Sequence, residues 1–196
     1  MEVEPLRDEE KIVEIRKILR ARRTGRRDEA LFVLGINTAL RISDLLALHV
    51  GDVLDADGNI GSEVELREKK TGKAKCFPLN QAIQDVLSDY LTALRNRGPV
   101  RRSSPLFPSR QGGMALSRWR AREILARAGE AVGLNHVGTH SLRKTFGYHV
   151  YNRTGGNLGL VQKLLNHSSS SDTLRYIGID REQMDDTYLK LNLGVM

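Results

Sequence analysis

The chain has 196 residues, 40% of them hydrophobic and 28% charged, with a formal net charge of +7. That length supports one domain with a substantial core or two small ones, and the scattered Gly and Pro argue against a fibrous or disordered chain. No run approaches the roughly 20 apolar residues of a membrane span, the acidic N-terminal stretch does not read as a secretory signal, and a single cysteine, Cys76, rules out an internal disulfide and suits a reducing cytosol.

In chain order, Ile12, Ile15, Ile18 and Leu19 recur at helical spacing, so residues 8–22 are predicted as an amphipathic helix. Residues 28–39 are largely apolar and read as a buried helix, with Asp28 as its N-cap. A short helix follows at 42–48. Between the turn signals Asp57-Gly58 and Thr71-Gly72, Val64 and Leu66 alternate with Glu65 and Arg67, the mark of strands in a small antiparallel sheet. Helical patterning returns over 81–95. Residues 98–114, rich in Pro, Ser, Gly and Arg, read as a connecting loop. Helices are then expected over 117–132, 139–153, 157–166, 171–178 and 181–191. The predicted class is mainly α with one small antiparallel sheet, an α+β domain.

Two arginine clusters stand out: Arg20, Arg22, Arg23, Arg26 and Arg27, then Arg95, Arg97, Arg101 and Arg102. Each reads equally as a phosphate-facing patch or as solvated helix ends and loops, because positive charge favours polyanions by counterion release without requiring one.

Several motifs can be set aside. Asp55-Ala56-Asp57 begins like a calcium loop, but loop position 6 is Ile60 and position 12 is Leu66. His136 and His140 are four apart, yet no Glu follows His136 and Gly138 favours a loop, so zinc has little support. Gly155, Gly156 and Gly159 lack the Lys-Ser/Thr ending of a phosphate loop. Asp185-Asp186 are adjacent and surface-like, a poor two-metal site.

Four pieces remain that place a cation, a donor or a nucleophile where phosphate chemistry could use it. Arg41 follows the buried helix, with Asp44 three residues on to orient its guanidinium. Lys69-Lys70-Thr71-Gly72-Lys73 puts lysines at a strand-to-strand turn. His140 and Arg143, spaced i and i+3, can project from one face at a helix start. His167 precedes Tyr176 by nine residues. Singly, each has an ordinary explanation: a structural ion pair, an exposed turn lysine, a helix-capping histidine, a core tyrosine.

Together they resemble the tyrosine recombinases of the phage-integrase family. Those enzymes carry an arginine box, a hairpin lysine, an H-x-L-R box, an L-G-H box and a tyrosine nine residues past that His, and the similarity runs from about residue 30 to 180. Ala39 and Asn166 stand where that pattern has Gly, Asp44 where it commonly has Glu, and Lys144 where a second His is common.

The resemblance implies the tyrosine recombinase catalytic-domain fold and a metal- and ATP-independent, cofactor-free DNA strand transferase. Tyr176 would be the nucleophile, forming a 3′-phosphotyrosine link. Arg41, Arg143 and His167 would donate to the phosphate, and Lys70 would protonate the leaving oxygen, with Lys73 as the fallback. His140 would assist proton transfer. Tyr188 is a rival nucleophile without the spacing. The implied partner is double-stranded DNA, bound as a homotetramer, with a monomer in isolation and no membrane; the implied setting is the cytoplasm and nucleoid. Residues 1–196 are expected to be a single catalytic domain, with 1–27 a leading helix and basic segment and 181–196 a C-terminal helix or tail, and without the family's usual N-terminal DNA-clamping domain. A type IB topoisomerase and a DNA-binding regulator that has lost turnover are the alternatives.

Overall fold

The computed structural model describes residues 3–110, 113–177 and 188–191. Helix α1 (Glu9–Arg20) starts where the Asp8 carboxylate accepts the backbone N–H groups of Glu10 and Lys11. Glu9 and Glu10 in its first turn and Lys17 and Arg20 in its last complement the helix dipole. Helix α2 (Gly25–Thr38) is almost wholly buried and packs against α1, against α4 (Gln81–Arg95) and against α6 (Thr139–Arg153). It begins three residues earlier than expected. Asp28 is not its N-cap: the carboxylate is fully buried in the first turn, where Arg27 and Thr24 donate to it.

After α2 the chain makes the one-turn helix α3 (Ile42–Leu45), shorter than expected, and a 3-10 turn at Val50–Val53. Strands β1 (Glu63–Arg67) and β2 (Ala74–Pro78) pair antiparallel, with Val64 opposite Phe77 and Leu66 opposite Lys75. The Asp57-Gly58 turn lies outside this hairpin and closes a separate bridge between Leu54 and Ile60. Asn80 caps α4 and Ser117 caps α5 (Arg118–Glu130). The loop between those helices is tied down by bridges from Pro105 to His49 and from Pro108 to Ala115.

One large core runs from Leu6 to Leu142. A second, small cluster holds α7 (Leu158–Leu165) and α8 (Ser170–Ile177) onto α6 through Val161, Leu165, Ile177 and Ala39, with Tyr176 at its margin. Of the expected last helix, only 188–191 lie among the described residues. Three of them form a helical turn, and Tyr188, Leu189 and Leu191 are exposed. No helix among the described residues is long and apolar enough to cross a membrane.

The contact that sets α6 against α2 is at Gly35, where a Cβ would collide with the Leu142 side chain. Gly35→Ala would gain about 0.5–1 kcal/mol of helix preference but force an overpacking cost of about 1–3 kcal/mol. Urea denaturation should therefore show a net loss of stability. An unchanged or higher midpoint would mean that α6 can move away at no cost.

Candidate active site

Two helix ends converge on one arginine. Helices α2 and α7 are each followed by a non-glycine residue in the left-handed region, Ala39 at φ 56° and Asn166 at φ 54°. A left-handed L-residue costs about 1–2 kcal/mol, so these positions matter to the chain path. They are also the two places where the family pattern has Gly. The sharp turns leave the carbonyls of Ala39 and Leu165 facing the Arg143 guanidinium, which donates Nη1 to the first and Nη2 to the second. Terminal helix carbonyls lack intrahelical partners and lie at the negative end of the dipole, so a cation suits them. Arg143 is only 1% exposed, and its Nε has no hydrogen-bond partner among the described residues. Burial, then the charge of Arg41, pushes its pKa down to about 10.

Arg41 sits 2.9 Å from a carboxylate, but not the expected one. Its partner is Glu68, just beyond β1 and itself 1% exposed. The same Glu68 oxygen accepts from Thr71 at 2.7 Å and from the Asn166 side-chain amide at 2.8 Å. Burial alone would raise the Glu68 pKa, but donation by Thr71, Asn166 and Arg41 outweighs it and holds the carboxyl below its ordinary value. Asp44 does a different job: it is buried and accepts the backbone N–H of Lys69 at 2.9 Å. The three-residue spacing from Arg41 to Asp44 suggested a local pair; the fold instead spends Asp44 on docking the hairpin, because an unpaired backbone N–H would be costly there.

The hairpin lysines divide. Lys70 is exposed at the turn. Lys73 reaches the Asn166 side-chain amide oxygen at 3.4 Å, a long contact. Lys75 runs inward, donates to the Leu164 carbonyl at 3.2 Å, and has its pKa pushed down to about 8 by burial and by Arg143.

His140 stands in the first turn of α6. Desolvation of its ring, then the charges of Arg143, Lys144, Arg41 and Lys70, lower its pKa from the usual value. His167 and Tyr176 meet edge to face, ring centroids 4.7 Å apart at 74°. The Arg143 guanidinium carbon and the Lys144 ammonium lie 5.8 Å and 5.9 Å from the Tyr176 ring centre. Burial and Arg143 push the His167 pKa down to about 4, so its ring is neutral at pH 7. The His167 Nδ1 lies 3.2 Å from the Thr173 hydroxyl, which itself donates to the Ser169 carbonyl. That hydroxyl can then only accept from Nδ1–H, leaving Nε2 with its lone pair.

The structure thus gathers Arg41, Arg143, His167 and Tyr176 tightly, sets His140 within range of their charges, and leaves Lys70 solvent-facing above them. Tyr188 is exposed. Glu68, Lys75 and Thr173 were not singled out from sequence, and Asn166 was seen only as a departure. One signal for the first two existed: Val64, Leu66 and Glu68 share one strand face, as do Lys75 and Phe77.

The chain is a mainly helical domain with an arginine-rich site beside a tyrosine, and its relatives identify the class. The model of the phage integrase family matches residues 7–183, so the leading helix is part of the match. The probable integrase/recombinase YoeC of Bacillus subtilis is 39% identical over 95% of both chains. Tyrosine recombinase XerC of Roseiflexus castenholzii is 34% identical over 80% of this chain, and the match spans 48% of that relative. Among solved structures, XerA recombinase matches with a TM-score of 0.72 at 21% identity over 96% of this chain and 64% of the other. XerH site-specific recombinase bound to palindromic difH substrate matches with 0.73 at 24% identity, over 95% and 52%. The chain belongs to the phage integrase family, the tyrosine recombinases, and has their catalytic-domain fold.

Breaking the Glu68–Arg41 pair tests the site's internal support. Glu68→Gln removes one partner of a buried ion pair and should cost about 3 kcal/mol. Because the folded pKa of Glu68 is depressed, this contribution is complete above the unfolded carboxyl value and is lost as pH falls through the folded value. Denaturation curves for the two proteins should differ at pH 7 and converge in strong acid. A constant gap across that range would assign the loss to packing instead.

Proposed function

We propose that this chain is a site-specific DNA recombinase that cuts and rejoins DNA through a 3′-phosphotyrosine on Tyr176, with 7–183 as its catalytic domain. One observation carries the reading: Tyr176 lies against His167 and within 6 Å of the Arg143 and Lys144 charges, in the same cluster as Arg41. A phenol surrounded by cations is a poor structural choice but a good nucleophile for a phosphodiester.

The Tyr176 hydroxyl oxygen attacks the scissile phosphorus, a new P–O(Tyr) bond forms, and the bond from phosphorus to the 5′-oxygen breaks. The phenolic proton goes to a nearby base; His167 Nε2, with its lone pair free, is the candidate, assisted by His140. Arg41 and the remaining N–H groups of Arg143 stabilise charge on the nonbridging oxygens. Lys70 gives a proton to the departing 5′-oxygen. Lys73 is directed to Asn166 and Lys75 to Leu164, which makes Lys70 the freer hairpin lysine. The phosphodiester energy is kept in the phosphotyrosine and returned when a 5′-hydroxyl attacks it, so the reaction as proposed takes no metal and no nucleotide. Exchange between two sites would then take four protomers on DNA, and a DNA-acting enzyme of this kind would work at the nucleoid in the cytoplasm. The match to integrases and recombinases supports this reading, and the YoeC similarity over nearly the full length of both chains supports it for a chain of this size.

The test uses a nicked suicide duplex from DNA flanking the gene, in EDTA. A covalent protein–DNA band is expected for the wild type and none for Tyr176→Phe. Lys70→Ala should slow its formation about 10²–10⁴-fold, with recovery when the 5′-oxygen is replaced by sulfur, which leaves without a proton. A band that persists in Tyr176→Phe would move the nucleophile elsewhere and overturn the reading.

A further inference from the structure

One turn of α8 meets His167 twice. Thr173 and Tyr176 are three residues apart on that helix and so share a face. The Tyr176 ring packs against the His167 ring, and the Thr173 hydroxyl lies 3.2 Å from its Nδ1. The backbone of His167 is held separately. Its N–H donates to the Gln162 carbonyl, its own carbonyl accepts from the Gln162 side-chain amide, and Ser170 donates to the Gln162 side-chain oxygen. The turn after α7 thus places the histidine, and α8 decides how its ring is used.

Thr173 is fully buried. A helical threonine commonly returns its hydroxyl to the carbonyl four residues earlier, and Thr173 does so with Ser169 at 3.2 Å. Helix geometry explains that contact, but not why the same oxygen is set against an imidazole nitrogen. A hydroxyl has one proton. With that proton on the Ser169 carbonyl, which can only accept, Thr173 offers His167 lone pairs alone. The nitrogen facing it must then carry the ring proton. Burial and then Arg143 keep His167 neutral at pH 7, so its tautomer, rather than its charge, decides whether it can act as a base. In the other tautomer Nε2 carries a proton and cannot accept one.

We propose that Thr173 is a positioning residue for the first chemical step: by holding the ring proton on Nδ1, it keeps Nε2 of His167 open to the phenolic proton of Tyr176. This deepens the recombinase reading above and rests on it. In that step the Tyr176 O–H bond breaks and its proton joins Nε2, while the phenolic oxygen bonds to phosphorus and the bond to the 5′-oxygen breaks. The imidazolium keeps Nδ1–H on Thr173. On religation it returns the Nε2 proton to the tyrosine oxygen. Thr173 acts only through His167.

Long-range proton–nitrogen NMR correlation spectra of the free protein at pH 7 read the His167 tautomer directly. Nδ1–H is expected in wild type and in Thr173→Ser, which keeps the hydroxyl. Thr173→Val, which keeps the branched shape without it, should show a population with the proton on Nε2. On the nicked duplex at saturating DNA, Thr173→Val should form the covalent complex about 10–100-fold more slowly, the loss typical when a working histidine loses its orienting partner. Its DNA affinity should be unchanged, and Thr173→Ser should recover most of the rate. An Nε2–H tautomer in wild type overturns the proposal without recourse to any variant. So does a valine variant that keeps the wild-type tautomer, or a serine variant as slow as the valine one, which would make Thr173 a packing residue of α8. If wild type holds the expected tautomer yet forms no covalent complex, the recombinase reading falls and takes this role with it.

Discussion

The site depends on a shortage of negative charge. Arg41, Arg143, Lys75 and Lys144 are packed together with Lys70 above them, and the buried carboxylates among them are Glu68 and Asp44. The consequences are visible in three titrating groups of the cluster. Lys75 is pushed down to about 8, His167 to about 4 and Arg143 to about 10, each by burial first and by the surrounding cations next. A cluster of that kind is unfavourable in the free protein and becomes favourable when a phosphate dianion or diester supplies the missing charge. On the proposed function, the stability cost of the free state and the affinity for substrate are two faces of one arrangement.

What holds the cations in place is mostly backbone. Arg143 crosses between the carbonyl of Ala39, just past α2, and that of Leu165 at the end of α7, and those carbonyls face it because Ala39 and Asn166 take left-handed turns. The alanine stays in that conformation while its methyl is buried in the small cluster with Val161, Leu165 and Ile177. The asparagine uses its amide on Glu68 and so links the hairpin, the Arg41 turn and the His167 turn through one carboxylate. Helix α8, which carries Tyr176, is attached through that small cluster, apart from the large core. Fewer buried apolar contacts mean a lower local opening free energy, so α8 is held less firmly than the helices of the large core.

Helical periodicity made α1, α4, α5 and α6 legible, and alternation made β1 legible, because each presents one face to the large core. The order and spacing of Arg41, Lys70, His140, Arg143, His167 and Tyr176 made the candidate site legible as a set. The start of α2 was misread because a buried Asp28 resembles a cap until its partners, Arg27 and Thr24, are seen. The Arg41–Asp44 pairing was misread for a related reason. Closeness in sequence suggested the contact, but the carboxylate came from Glu68 across the hairpin, and only tertiary structure decides between two acids that could both reach. Asn166 looked like a defect in a motif and is a hydrogen-bonding member of the site. The arginine clusters at 20–27 and 95–102 could not be interpreted from sequence, since which guanidiniums are neutralised depends on Glu29 and Asp89, neighbours brought close by the fold.

The claim that cation crowding shapes the site is tested most directly by the titration of Lys75, followed through its ε-methylene by NMR. The account predicts a transition near pH 8 in the free protein, moving upward when a cleavable duplex is bound and its phosphate adds negative charge to the cluster. A transition near the ordinary lysine value of about 10.4 in the free protein, unmoved by DNA, would contradict it.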